Sequence, residues 1–133
     1  MTELSRTEIP ASGAVGMPRP LTEAAAERIA RRFAALADPL RIRILDTLRE
    51  RGECSVGELV ELLGARQQNV SKHLGILLQQ GIVARRKERT RALYRIADDT
   101  VLQLCELVCG SIERELAELA RLVGTDNRAV QQR

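Results

Sequence analysis

The chain has 133 residues, a net charge of +3 and only 2% aromatic side chains. That is the size of one ordinary domain, and with Phe33 and Tyr94 as its only aromatics the core must be aliphatic, which favours helix packed on helix. No stretch is apolar enough to span a bilayer and the N-terminus lacks a secretory signal, so the chain is expected to be cytoplasmic, with its three cysteines reduced rather than paired in disulfides.

Residues 1–20 hold Pro10, Gly13, Gly16, Pro18 and Pro20 without an apolar period and are expected to form a flexible arm. The folded domain is expected over 21–123. Thr22 predicts the cap of a first helix through Ala37, with Ile29, Phe33, Leu36 and Ala37 on one face. Asp38-Pro39 ends that helix and starts the next, Asp at the cap and Pro at the first helical position. The second helix, Leu40 to Glu50, sets Leu40, Ile44, Leu45 and Leu48 in register and stops at Gly52. Ser55 followed by Glu58 is a capping box for a short helix, Val56 to Leu63. Gly64 closes it, and a further helix begins near Arg66 or Gln67 and runs to Gln80. Two helices joined through a Gly turn make a helix-turn-helix pattern.

That second helix is the most informative stretch. Val70, Leu74, Leu77 and Leu78 fall on one face, whereas Gln67, Gln68, Asn69, Ser71, Lys72 and His73 occupy the other. Amides pair bidentately with adenine edges, Ser serves either edge, and Lys reaches guanine or phosphate. A solvated amphipathic helix shows a similar pattern, so the neighbouring segments decide between the two readings.

After Gly81 the period changes to that of strands. Ile82 to Arg86 and Arg91 to Ile96 read as a two-stranded hairpin with Lys87-Glu88-Arg89-Thr90 at its tip, Leu93 facing in and Tyr94 facing out. Arg85, Arg86, Lys87, Arg89, Arg91 and Arg95 stand there against Glu88 alone. A helix-turn-helix followed by a basic hairpin predicts a mainly α winged helix-turn-helix that binds duplex DNA, with Lys87, Arg89 and Arg91 on phosphates. A winged helix used for protein contact alone has no need of this charge. No nucleophile–base pair, Gly-rich phosphate loop or paired-His motif is present, which argues against an enzyme. A last helix from about Asp98 to Leu122 carries an apolar stripe of Val101, Leu104, Cys105, Val108, Cys109, Ile112, Leu116, Leu119 and Val123. Its economical partner is a second copy around a two-fold axis. Residues 124–133 are expected to be a frayed tail.

Between Phe33 and Glu113 the chain resembles the ArsR/SmtB family of metal-responsive repressors. The resemblance is carried by Ala35 to Leu45, Ser55-Val56-Gly57-Glu58-Leu59, Asn69-Val70-Ser71-Lys72-His73-Leu74 and Tyr94-Arg95-Ile96. It implies a homodimer, joined through the N- and C-terminal helices, that represses its own operon at an inverted repeat and leaves DNA when an inducer binds. Sensor positions used elsewhere in the family are vacant here. The Cys-Val-Cys element of the arsenic sensors falls on Ser55-Val56-Gly57. Of the zinc-sensor ligand places only Asp98 has a suitable side chain, the others being Thr100, Ser111 and Arg114. The cadmium and lead sensors with cysteines in the reading helix are not matched either, and His73 is better explained as a DNA-reading residue.

The remaining thiols are Cys54, Cys105 and Cys109. Cys105 and Cys109 are one helical turn apart, with Cβ atoms about 5–6 Å from each other. With Cys54, or a thiol of the other subunit, they form a candidate all-sulfur site suited to a thiophilic ion. From the family's range, arsenite or antimonite is preferred, with mercury, cadmium or lead behind, and no constitutive cofactor is expected. Two rivals stand beside this reading: the cysteines as small hydrophobes in packing, and a redox or reactive-sulfur sensor, for which two thiols four apart on a helix are badly aimed, so that it needs local unwinding or Cys54 as partner.

Overall fold

The computed structural model describes Gly16 and residues 19–131, with side chains described as far as Gly124. Almost all of the expected arm, and the last residues of the expected tail, lie outside them.

Helix α1 spans Glu23–Leu36 and is capped by Thr22, whose hydroxyl accepts from the Ala25 amide at 3.1 Å. Helix α2 spans Pro39–Arg51; the Asp38 carboxylate accepts from the Leu40 amide at 2.8 Å and the Arg41 amide at 3.2 Å. Strand β1 is the dipeptide Cys54–Ser55 and runs directly into α3, Val56–Leu63. The capping box is formed in both directions: the Glu58 amide donates to Ser55 Oγ at 3.2 Å and the Ser55 amide donates to Glu58 Oε1 at 2.7 Å. Gly64 ends α3 in the left-handed region at φ 62, where a Cβ would be strained, and this sharp stop lets α4, Gln67–Gln79, start three residues later.

Strands β2, Val83–Glu88, and β3, Arg91–Ile96, form the hairpin. The sheet is three-stranded, in the order β1-β3-β2 and antiparallel throughout. The expected two-stranded ribbon is therefore corrected by β1, which pairs Cys54 with Tyr94 and Ser55 with Leu93. Tyr94, expected to face out, is buried for the same reason: β3 is the central strand, and α2 and α3 pack against it. Short strands of this kind are stable only when they lean on a helical layer.

The core joins α2, α3, α4 and the sheet through Ile44, Leu45, Leu48, Leu59, Leu74, Leu77 and Ile82, none more than 1% exposed. Each such burial contributes about 1.5–3 kcal/mol. Helix α5 spans Asp99–Gln131, 33 residues or about 50 Å, and so continues through the region expected to fray. Only its first turns meet the core: Val101 is buried, whereas Ile112, Leu116 and Leu119 are about half exposed. On α1, Phe33 is 53% exposed. The stripes expected on the first and last helices are present, but within a single chain they remain largely uncovered.

Candidate DNA-reading face and thiol groove

The packing of α4 decides which of its side chains face solvent. Val70, Leu74 and Leu77 are fully buried, which turns Gln67, Gln68, Asn69, Ser71 and Lys72 outward. Arg66, Gln67, Gln68, Ser71 and Lys72 border one open concavity. Arg66 at the N-cap supplies no side-chain cap to the amides of the first turn.

His73 departs from the expected reading set. Its side chain is 12% exposed, Nδ1 lies 2.7 Å from Arg41 Nη1, and Nε2 lies 3.8 Å from Asp38 Oδ1. Residue 73 is three after Val70 and four before Leu77, so its ring falls on the inner edge of the helix and meets the start of α2. In this position the ring is engaged with Arg41 and Asp38 rather than presented on the outer face. Desolvation pushes the Asp38 carboxyl upward, but the Arg41 and Leu40 amides, with the Arg41 charge nearby, outweigh it and hold it below the usual carboxylate value.

The wing cations are not equivalent. Arg86 is bound by Glu53, and Arg91 is shared between Glu88 at 3.4 Å and Glu58 at 4.0 Å. Lys87 and Arg89 are exposed. Strand pairing extends to Glu88–Arg91, so the tip is the two-residue turn Arg89-Thr90, with Arg89 at φ 60.

The three thiols occupy different environments. Cys54 is 1% exposed in β1; burial, then the Glu58 charge, pushes its thiol up. Cys105 is half-buried, its thiol raised by desolvation, and Cys109 is exposed. Cys105 and Cys109 line an apolar groove of about 620 Å³ together with Phe33, Leu36, Ile42, Val108 and Ile112. Among the described residues no three His, Cys, Asp or Glu side chains gather closely enough to hold a metal ion. The three-thiol site is thus not assembled within one chain, because the pairing with Tyr94 holds Cys54 in the core. Cys105 and Cys109 stay one turn apart on α5.

A family model described as a helix-turn-helix domain matches residues 36–86. Over 90 residues the chain is 40% identical to the biofilm growth-associated repressor of Agrobacterium fabrum, covering 68% of this chain and 76% of the relative. Its fold superposes with TM-score 0.63 on the homodimeric winged helix-turn-helix DNA-binding domain of a possible ArsR-family regulator from Mycobacterium bovis, at 35% identity over 70% of this chain and 85% of that one. The AntR antimony-specific transcriptional repressor matches with TM-score 0.64 at 32% identity, over 71% of this chain and 85% of that one. A helix-turn-helix with a polar outer face beside a basic hairpin, and relatives of this kind, define a winged helix-turn-helix transcriptional regulator, not an enzyme. Within that class the chain belongs to the ArsR/SmtB family. Among its described residues no helix is long and apolar enough to cross a membrane.

Proposed function

We propose that the chain is a homodimeric repressor that sets two copies of α4 in successive major grooves of an inverted-repeat operator. The observation that carries this reading is the outward face Gln67, Gln68, Asn69, Ser71 and Lys72, in a chain whose wing exposes the cations Lys87, Arg89 and Arg91. Amides and hydroxyl supply base contacts, the cations neutralise phosphates, and two heads one helical turn apart match a two-fold operator. Dimerisation is supported by the uncovered apolar faces of α1 and α5, among them Phe33, Ile112 and Leu116, and by the homodimeric Mycobacterium bovis domain.

The signal is a thiophilic ion, trivalent arsenic or antimony before mercury, cadmium or lead, taken up by Cys105 and Cys109 with further donors from the second subunit or solvent. The apolar groove around both thiols and the likeness to an antimony-specific repressor support it. A disulfide between these two is disfavoured because α5 is continuous through both, so the redox alternative needs local unwinding. Release needs the ion to bind the DNA-free state more tightly; a hundredfold loss of operator affinity corresponds to about 2.7 kcal/mol of coupling.

The test is binding to duplexes from the region upstream of the chain's own gene, with and without arsenite or antimonite. Gln68→Ala with Asn69→Ala is expected to abolish specific binding and leave weak non-specific binding; retained specificity removes α4 from the reading role. Cys105→Ser and Cys109→Ser are expected to keep DNA binding but lose release, and normal release by both overturns the thiol site.

A further inference from the structure

Arg41 lies where α1, α2 and α4 meet. From the first turn of α2 its Nε donates to the Ala35 carbonyl at 2.6 Å and its Nη2 to the Ala34 carbonyl at 3.3 Å, both at the end of α1. Its Nη1 is 2.7 Å from His73 Nδ1 on α4. A guanidinium has donors only and stays charged, so His73 must accept through Nδ1. The neutral ring then carries its proton on Nε2, the nitrogen turned toward Asp38.

The consequence concerns the angle of α4 about its own axis. Its inner contacts, Val70, Leu74 and Leu77, are aliphatic, and aliphatic burial is non-directional. A hydrogen bond to a ring nitrogen is directional, and the other two arms of the same rigid fork are fixed on α1 carbonyls. His73 stands two residues after Ser71 and five after Gln68, so its tether sets the direction of the outer face. We infer that Arg41 is a positioning residue for DNA reading: through His73 it fixes the azimuth at which Gln67, Gln68 and Ser71 meet base edges. The inference rests on α4 being the reading helix. It assigns His73 to orientation and gives Arg41 a role other than a phosphate contact.

Two measurements test it. His73 is the chain's single histidine, so its ring nitrogens give unambiguous ¹⁵N signals. In the unaltered dimer Nδ1 is expected to show the shift of a bare acceptor and Nε2 that of a protonated nitrogen; a proton on Nδ1 overturns the contact. In operator binding, Arg41→Lys, which keeps the charge and loses the fork, is expected to weaken specific affinity about tenfold while non-specific affinity and the salt slope stay unchanged. His73→Leu is expected to lose a similar factor, the double variant no more than either alone, and His73→Asn, which returns an acceptor near the Nδ1 position, is expected to keep most of the affinity. Additive losses, or equal loss of specific and non-specific binding, overturn the inference. If the unaltered chain prefers no duplex from its own upstream region, the reading-helix proposal fails instead, and the ¹⁵N result still decides the Arg41–His73 contact.

Discussion

Arg86 donates from Nε and Nη2 to the two carboxylate oxygens of Glu53, at 2.8 and 2.9 Å, tying the outer strand of the wing to the residue that leads into β1. The hydrogen bond, reinforced by charge, holds the Glu53 carboxyl below its usual value and raises Arg86. One wing cation is therefore neutralised before DNA arrives, whereas Lys87 is exposed at the outer edge of the same strand. Removing Lys87 by substitution with Ala is expected to lower the slope of log affinity against log salt by about 1 per protomer, and Arg86→Ala to leave it nearly unchanged. Titrations of operator binding at several salt concentrations check this; equal slope losses for the two variants contradict it.

Arg89 is, among the described residues, the one non-glycine with positive φ, at 60°. It occupies the first position of a two-residue hairpin turn, where glycine adopts this backbone without a Cβ clash. Holding an arginine there costs about 1 kcal/mol, which makes sense if the cation at the tip is needed for DNA. Arg89→Gly is expected to raise stability toward urea by up to that amount while weakening operator affinity and lowering its salt slope. A variant that is both more stable and equally tight at every salt concentration would show that the tip makes no phosphate contact.

Much of this architecture was legible because its punctuation is local. Asp38-Pro39, Ser55 with Glu58, and the glycines at 52 and 64 act within a few residues, and the observed helices begin or end at them. What was not legible depends on distant neighbours. Two residues cannot announce a strand, and β1 exists because Tyr94 and Leu93, some forty positions on, offer it an edge. The same pairing buries Tyr94 and withdraws Cys54 from the other thiols. His73 carried the chemistry of a base reader, but three residues after Val70 and four before Leu77 it lies at the edge of the buried face; its partner Arg41, thirty-two positions away, is what no helical period reveals. The uncovered stripe of α5 was visible as a pattern; its continuation to Gln131 was not, because the final residues carry little apolar signal.

The thiols should separate by reactivity. Only the thiolate reacts, so burial that raises a thiol slows alkylation as well as blocking access. Cys54 is buried and raised, and Cys105 is half-buried and raised; Cys109 is exposed in the single chain. With iodoacetamide under native conditions, Cys109 and Cys105 are expected to be modified well before Cys54, which should react only as the domain unfolds. Peptide mass spectrometry over a time course checks the order. Early modification of Cys54 would mean that β1 opens readily, and would return that residue to the set of accessible ligands.

The last relationship links the two ends of the folded chain. Arg32 on α1 pairs with Asp98, whose carboxylate also accepts from the Thr100 amide at 3.1 Å at the start of α5. The Thr100 hydroxyl bond, opposed by desolvation and aided by the Thr100 amide and Arg32, holds this carboxyl below its usual value. A depressed folded value means that the stabilisation is complete above the unfolded value and is lost as pH falls through the folded one. Asp98→Asn is therefore expected to cost about 1 kcal/mol near neutral pH, an amount typical of one charge-assisted hydrogen bond in a partly exposed site. The gap to the unaltered chain should close as pH falls through the depressed folded-state value. Urea denaturation of both proteins from neutral to acid pH measures it. A gap that persists unchanged into acid would assign the loss to altered packing of the substituted amide rather than to the charge. An additive loss in the double variant with Arg32→Gln would show that the two side chains do not act as a pair.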